Sequence, residues 1–216
     1  MPDNAPHRAL LVIDVQNEYF AGGQLPIEYP PVAETLPRIT RAMDAAQAAG
    51  VPVVVVQHTA PAGAPVFDKP GERWQLHPEV ARRPAAHRIE KRMASCFAGT
   101  GLADWLAGRG IDTLAIAGYM THNCDAATAF EAAHRGLAVE FLTDASGALP
   151  YANAAGRASA EEIHRVFSVV LHSNFAAAVT TADWIAALQA GRPLARDNVF
   201  ASSRRARQAA VSPGTR

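Results

Sequence analysis

The chain alternates unbroken apolar runs with stretches whose apolar residues recur every three or four positions. Ala9-Leu10-Leu11-Val12-Ile13, Val53-Val54-Val55-Val56 and Leu114-Ala115-Ile116-Ala117 are continuous apolar runs of strand length. Such runs mark strands buried on both faces, as in parallel sheets. Residues 139–145 and 175–179 read as further strands, and residues 88–91 as a short one. Between them, Leu36, Ile39, Met43 and Ala46 keep helical spacing over residues 32–49, with Gly50 as the stop and Pro52 beyond it. The same spacing predicts helices over 102–108, 125–134 (closed by Gly136), 159–170 and 182–188. Gly118 is expected to end the strand that starts at Leu114 and to open a polar turn. Strands alternating with helices predict a doubly wound α/β sheet with right-handed crossovers.

Residues 59–86 contain five prolines and no clear period. A loop of that length in a compact domain is more often functional than accidental. Residues 1–7 read as a flexible N-terminus, 8–190 as one domain, and 191–216 as a C-terminal extension. The polar, basic run 201–216 is expected to be mobile or to lie on a partner subunit.

Composition narrows the function classes. Twenty basic and twenty acidic residues leave a formal net charge of zero, so nothing electrostatic points to nucleic acid or an anionic membrane. Two cysteines are too few for a disulfide framework. The apolar runs are too short to span a bilayer, and the N-terminus lacks a signal-peptide core. These features predict a cytoplasmic protein with reduced thiols.

Three residues stand where chemistry is expected. Asp14, Lys91 and Cys124 each follow or end a predicted strand, on the sheet edge where α/β proteins bind ligands. Taken singly, Asp14 could be a turn aspartate, Lys91 a solvated charge and Cys124 a small buried residue. Cys124 sits on a strand-to-helix turn, where the helix dipole is expected to lower a thiol pKa. Together the three make sense as a nucleophilic site. A carboxylate takes the thiol proton and returns it to a leaving amine, while an ammonium favours thiolate and carboxylate alike.

The sequence resembles the isochorismatase-like, or cysteine hydrolase, superfamily that includes the nicotinamidases. Four stretches carry the resemblance: Leu11-Val12-Ile13-Asp14-Val15-Gln16-Asn17 with Gly22-Gly23; Leu76-His77-Pro78-Glu79; Lys91 with Ser95, Phe97 and Gly99-Thr100-Gly101-Leu102; and Gly118-Tyr119-Met120-Thr121-His122-Asn123-Cys124 with Asp144-Ala145. The resemblance implies a three-layer α/β/α, Rossmann-like fold with six parallel strands. It implies that Asp14, Lys91 and Cys124 are catalytic, and that Tyr119–Met120 is a cis peptide. It also implies an oxyanion hole from the Met120 and Cys124 N–H groups, and a homodimer or homotetramer. Tyr19, Trp74, Tyr119, His122 and Asn123 are the expected substrate contacts. Where metal-dependent nicotinamidases carry Asp-x-His, this chain reads Gln57-His58-Thr59. His58 and His77 without a carboxylate make a poor metal site, so no cofactor is expected, although a role for either histidine towards metal or substrate stays open. Cys96 matches no catalytic position. The implied activity is hydrolysis of a small carboxamide or cyclic imide through an acyl-thioester. Vinyl-ether hydrolysis of isochorismate, or an inactive binding protein on the same fold, are the alternatives.

Overall fold

A computed structural model describes residues 5–211. Residues 1–4 and 212–216, the outer parts of the expected N-terminus and C-terminal extension, lie outside the described residues. The elements follow in the order β1 (Arg8–Ile13), α1 (Val32–Ala48), β2 (Val53–His58), α2 (Pro78–Ala81), β3 (His87–Lys91), α3 (Leu102–Ala107), β4 (Thr113–Tyr119), α4 (Ala126–His134), β5 (Ala138–Gly147), β6 (Tyr151–Asn153), β7 (Gly156–Ala158), α5 (Ala160–Asn174), β8 (Ala177–Val179), α6 (Thr181–Gln189) and α7 (Val199–Val211). Six strands form one parallel sheet in the order β3-β2-β1-β4-β5-β8.

The continuous apolar runs are explained by the two faces of this sheet. Leu10, Val12, Val53, Val55, Ala115 and Ala117 face α1 and α6, where Ile39, Met43 and Trp184 cover them. Their alternates Leu11, Ile13, Val54, Val56, Leu114 and Ile116 face α3 and α4, with Leu102, Leu106 and Ala129. Each buried Val, Leu, Ile or Met among these contributes roughly 1.5–3 kcal/mol on burial. Strand order reverses between β1 and β4, so their carboxyl ends flank the switch point where α/β sheets open a crevice.

Gly118 does not end β4. The strand runs on to Tyr119, with Ile13 opposite Gly118 and a register irregularity against β5 between Ile116 and Gly118. Gly118 has φ +120°, and a Cβ there would stand 2.1 Å from the Ile13 carbonyl oxygen. Close approach of β1, not termination, is what requires glycine. Three further features were not read from the pattern. β6 and β7 form a small antiparallel hairpin, with strands of three residues that are too short to show alternation. α5 extends to Asn174, which delays β8 to Ala177; its start is the expected one, a capping box of Ser159 and Glu162. The stretch 199–211 is the helix α7, packed on α5 and opened by Asn198, whose Oδ1 accepts from the Ala201 N–H. Among the described residues no helix is long and apolar enough to cross a membrane.

Candidate active site

Three strand ends bring the candidate residues together. Asp14 follows β1 with φ +52°, a left-handed conformation that aspartate tolerates better than most residues. Its N–H donates to the Val56 carbonyl at 3.0 Å, which ties it to β2. Lys91 ends β3, in register with His58 at the end of β2. Cys124 lies in a π-helical turn, Thr121–Asp125, between β4 and α4. The peptide bond Tyr119–Met120 is cis, as the resemblance implied.

The Lys91 Nζ is the centre of the cluster. It lies 2.7 Å from Asp14 Oδ2, 3.1 Å from Cys124 Sγ, 3.2 Å from the Met93 carbonyl and 3.3 Å from His58 Nδ1. Asp14, Lys91 and Cys124 are all buried. Burial opposes the Lys91 charge, but the Asp14 carboxylate beside it outweighs burial and holds the ammonium above its usual range. The thiol departs from its expected direction. Burial, reinforced by the Asp14 charge, pushes the Cys124 thiol well up, and the opposing pull of Lys91 does not overcome them. The expected resting thiolate is therefore corrected to a neutral thiol beside an Asp14–Lys91 ion pair. Cys96 is fully buried in the core and is pushed up to about 12 by that burial.

A cleft of about 320 Å³ opens over Cys124. Of the residues expected around the substrate, Tyr19 and Asn123 line it, together with Met120 of the expected oxyanion hole. Trp74, Tyr119 and His122 stand behind its wall instead. The Trp74 Nε1–H donates to Thr59 Oγ1 at 2.8 Å. Tyr119 is fully buried, its hydroxyl 2.6 Å from Thr35 Oγ1 and its ring edge-on to Tyr19. The His122 ring packs between Tyr151 and Phe167, with both nitrogens buried and unpartnered. The walls also include Leu25, Val66, Phe67 and Tyr151, none of them anticipated. Val66-Phe67 is an apolar pair inside the proline-rich loop, a signal that was available. Tyr151 reaches the cleft from the hairpin that the pattern could not show.

The two histidines do not meet. The His77 Nδ1 accepts from the Glu79 N–H at the start of α2, and its ring lies against Phe20. Among the described residues, Asp14, His58 and Cys124 place ligand atoms within 4.8 Å of one another. The Lys91 ammonium is already in contact with all three. This donor set therefore fits a resident lysine better than the Asp-x-His metal site of nicotinamidases.

Fold and site together define a Rossmann-like α/β protein with a buried cysteine, carboxylate and lysine at its switch point. The sequence matches the isochorismatase domain over residues 8–183; the chain belongs to that family and is an isochorismatase-like hydrolase of the cysteine hydrolase superfamily. It is 60% identical to a crystal structure from Burkholderia xenovorans LB400, provisionally called an isochorismatase, with a TM-score of 0.95 over 97% of this chain and 100% of that one. A secreted isochorismatase effector of Verticillium dahliae is 33% identical over 138 residues, 64% of this chain and 71% of that protein. The nicotinamidase of Escherichia coli K12 is 28% identical over 177 residues, 64% of this chain and 82% of that protein.

Proposed function

We propose that the protein is a cysteine-dependent amidohydrolase acting on a small, uncharged carboxamide or cyclic imide. The observation that carries this reading is the convergence of Asp14, Lys91 and Cys124 on one buried point at the floor of the cleft. As the Cys124 sulfur forms its bond to the substrate carbonyl carbon, Asp14 takes the thiol proton. The Met120 and Cys124 N–H groups hold the oxyanion. Asp14 returns the proton to the departing nitrogen as the C–N bond breaks, which leaves an acyl-thioester and free ammonia or amine, or, from a cyclic imide, an acyl-thioester that carries the ring-opened carboxamide. Asp14 then takes a proton from water as the water oxygen bonds to the carbonyl carbon, and passes it to the Cys124 sulfur as the C–S bond breaks, which releases the carboxylic acid and restores the thiol. Lys91 stays protonated and stabilises the negative charge as it passes between Asp14 and the sulfur. A neutral resting thiol suits this sequence, because the base stands ready and no free thiolate is exposed to side reactions.

The cleft supports a small neutral substrate. Its volume suits a ligand at the small end of the drug-like range. Among the described residues that line it are aromatic and aliphatic side chains, Asn123 and His58; the Lys91 ammonium beneath its floor is already paired with Asp14. The names of several relatives favour isochorismate as a second reading. That substrate carries two carboxylates, and burying them without an unpaired cation would be costly.

Ammonia release from a panel of small amides, and formation of the ring-opened half-amide from cyclic imides, each with and without chelator, test the proposal. Wild type should turn over at least one member whether or not chelator is present, and Cys124→Ala should turn over none. Activity that survives Cys124→Ala overturns the covalent route. Pyruvate formed from isochorismate by an alkylated enzyme would establish the second reading instead.

A further inference from the structure

His58 is the residue of the cluster that the triad mechanism does not use. It ends β2, lines the cleft, and meets Lys91 Nζ through Nδ1 at 3.3 Å. A lysine ammonium has three N–H donors and no acceptor. A contact from it to Nδ1 therefore requires Nδ1 to be the bare, accepting nitrogen. That assignment puts the imidazole hydrogen on Nε2. Burial and the Lys91 charge both lower the His58 pKa, so the ring is neutral at pH 7 and this tautomer is the populated one. Nε2 lies on the edge of the ring away from Lys91. Among the described residues it has no hydrogen-bond partner, and unlike the His122 nitrogens it is not closed off from solvent. Phe67 packs edge-on to the ring at 5.2 Å and holds its orientation. The result is a fixed donor in an otherwise largely apolar wall, on a ring that has one of its nitrogens within 4.8 Å of Cys124 Sγ.

We infer that His58 is a specificity-determining residue whose Nε2–H binds a second hydrogen-bond acceptor of the substrate, one placed about three bonds from the scissile carbonyl carbon. Lys91 sets the tautomer, so one lysine prepares both the nucleophile and the donor that orients the amide. The preferred substrates are then small neutral amides or imides that carry a further carbonyl oxygen or ring nitrogen, and isosteres without that acceptor are discriminated against. A site built around a polar group leaves that group unpaired when the acceptor is missing, which is a strong source of discrimination. This inference rests on the amidohydrolase reading for its substrate class, but its geometry can be tested without turnover.

The test uses two isosteric pairs, acetoacetamide against 3-methylbutanamide and nicotinamide against benzamide. Binding to Cys124→Ala protein is measured by ligand-observed NMR titration, and ammonia release by the wild type is followed in parallel. The acceptor-bearing member of at least one pair should bind about three- to tenfold more tightly, the worth of one neutral hydrogen bond. In the Cys124→Ala background, His58→Phe should bring that ratio close to one. His58→Gln, whose amide N–H can reach the same place, should keep most of it. If the preference survives His58→Phe, or if both members of both pairs bind equally or not at all, the inference is wrong. A uniform fall in kcat for both members with their ratio unchanged would show that His58 only positions Lys91, which also overturns it. Failure of the amidohydrolase reading has a different signature: no ammonia from any wild-type reaction while the binding preference remains.

Discussion

Lys91 Nζ and Cys124 Sγ lie 3.1 Å apart at the buried floor of the cleft, with Asp14 Oδ2 2.7 Å from the same nitrogen. Burial and Asp14 push the thiol up while Lys91 pulls it down. Removing either neighbour should therefore move the thiol in opposite directions. Lys91→Met should slow iodoacetamide alkylation of Cys124 at pH 7 about tenfold or more. Asp14→Asn should speed it, since a nearby charge typically shifts a pKa by about 1–3 units. Both should abolish turnover. Alkylation rates against pH, in a Cys96→Ser background, check this; coincident curves for wild type and Lys91→Met would remove Lys91 from the site.

The ion pair also has a structural side. Lys91→Met leaves Asp14 buried without its partner, and loss of one member of such a pair costs about 3–5 kcal/mol. The double variant Asp14→Asn with Lys91→Met should recover a good part of that loss. Urea unfolding of the three variants measures the coupling; additive losses would refute it.

Asp125 is fully buried beside the nucleophile, with the buried Ser146 hydroxyl near its carboxyl group. Burial and the Asp14 charge push it up to about 8. Between about pH 4 and pH 8 the unfolded chain releases this proton and the folded chain keeps it, so stability falls as pH rises through that window. Asp125→Asn should stabilise the protein by about 2–4 kcal/mol at pH 8.5, with little change at pH 4. Urea midpoints at the two pH values decide the matter. A difference independent of pH would mean the carboxyl is ionised throughout.

His122 and His164 behave in the opposite sense. Burial, with mutual repulsion at His122, pulls each down to about 4. Between pH 6.5 and 4 the unfolded histidines take up protons and the folded ones do not, so stability is lost as pH falls through that range. Each ring contributes on the order of 1–2 kcal/mol after allowing for its partial solvent contact. His122→Phe should flatten part of this acid limb in thermal melts from pH 7 to pH 4.5, because the ring already packs on Tyr151 and Phe167 and has no hydrogen bond to lose. An unchanged acid limb would count against the buried neutral ring.

Gly118 offers a test of the fold itself. Gly118→Ala would drive a methyl against the Ile13 carbonyl at a φ that alanine avoids. Spreading β1 from β4 would also separate Asp14 from the turn that holds Cys124. Activity should fall at least tenfold along with a Tm drop of several degrees. A variant with wild-type Tm and kcat would show that the strands do not approach so closely.

The sheet was legible in the chain because a strand covered on both faces needs no alternation. Runs such as Leu10 to Ile13 and Val53 to Val56 announce their own burial. Strand–helix alternation then left a parallel sheet as the economical topology, and the residues at the strand ends, Asp14, Lys91 and Cys124, were identifiable by type and position. What could not be read was how far those residues sink and what surrounds them. The charge state of Cys124 is a balance between burial, Asp14 and Lys91, and that balance depends on distances of about 3 Å between atoms far apart in sequence. His58 looked like half of a broken metal site, and only its contact with Lys91 makes it an oriented donor. Trp74 and His122 looked like pocket residues by composition, yet packing against Thr59, Tyr151 and Phe167 places them behind the wall. Gly118 looked like a strand terminator, because a glycine required by the closeness of a neighbouring backbone has the same one-letter signature as a glycine required by a turn. Local pattern determines which segments are buried and in what form; the tertiary structure alone decides which side chains face one another across the gap.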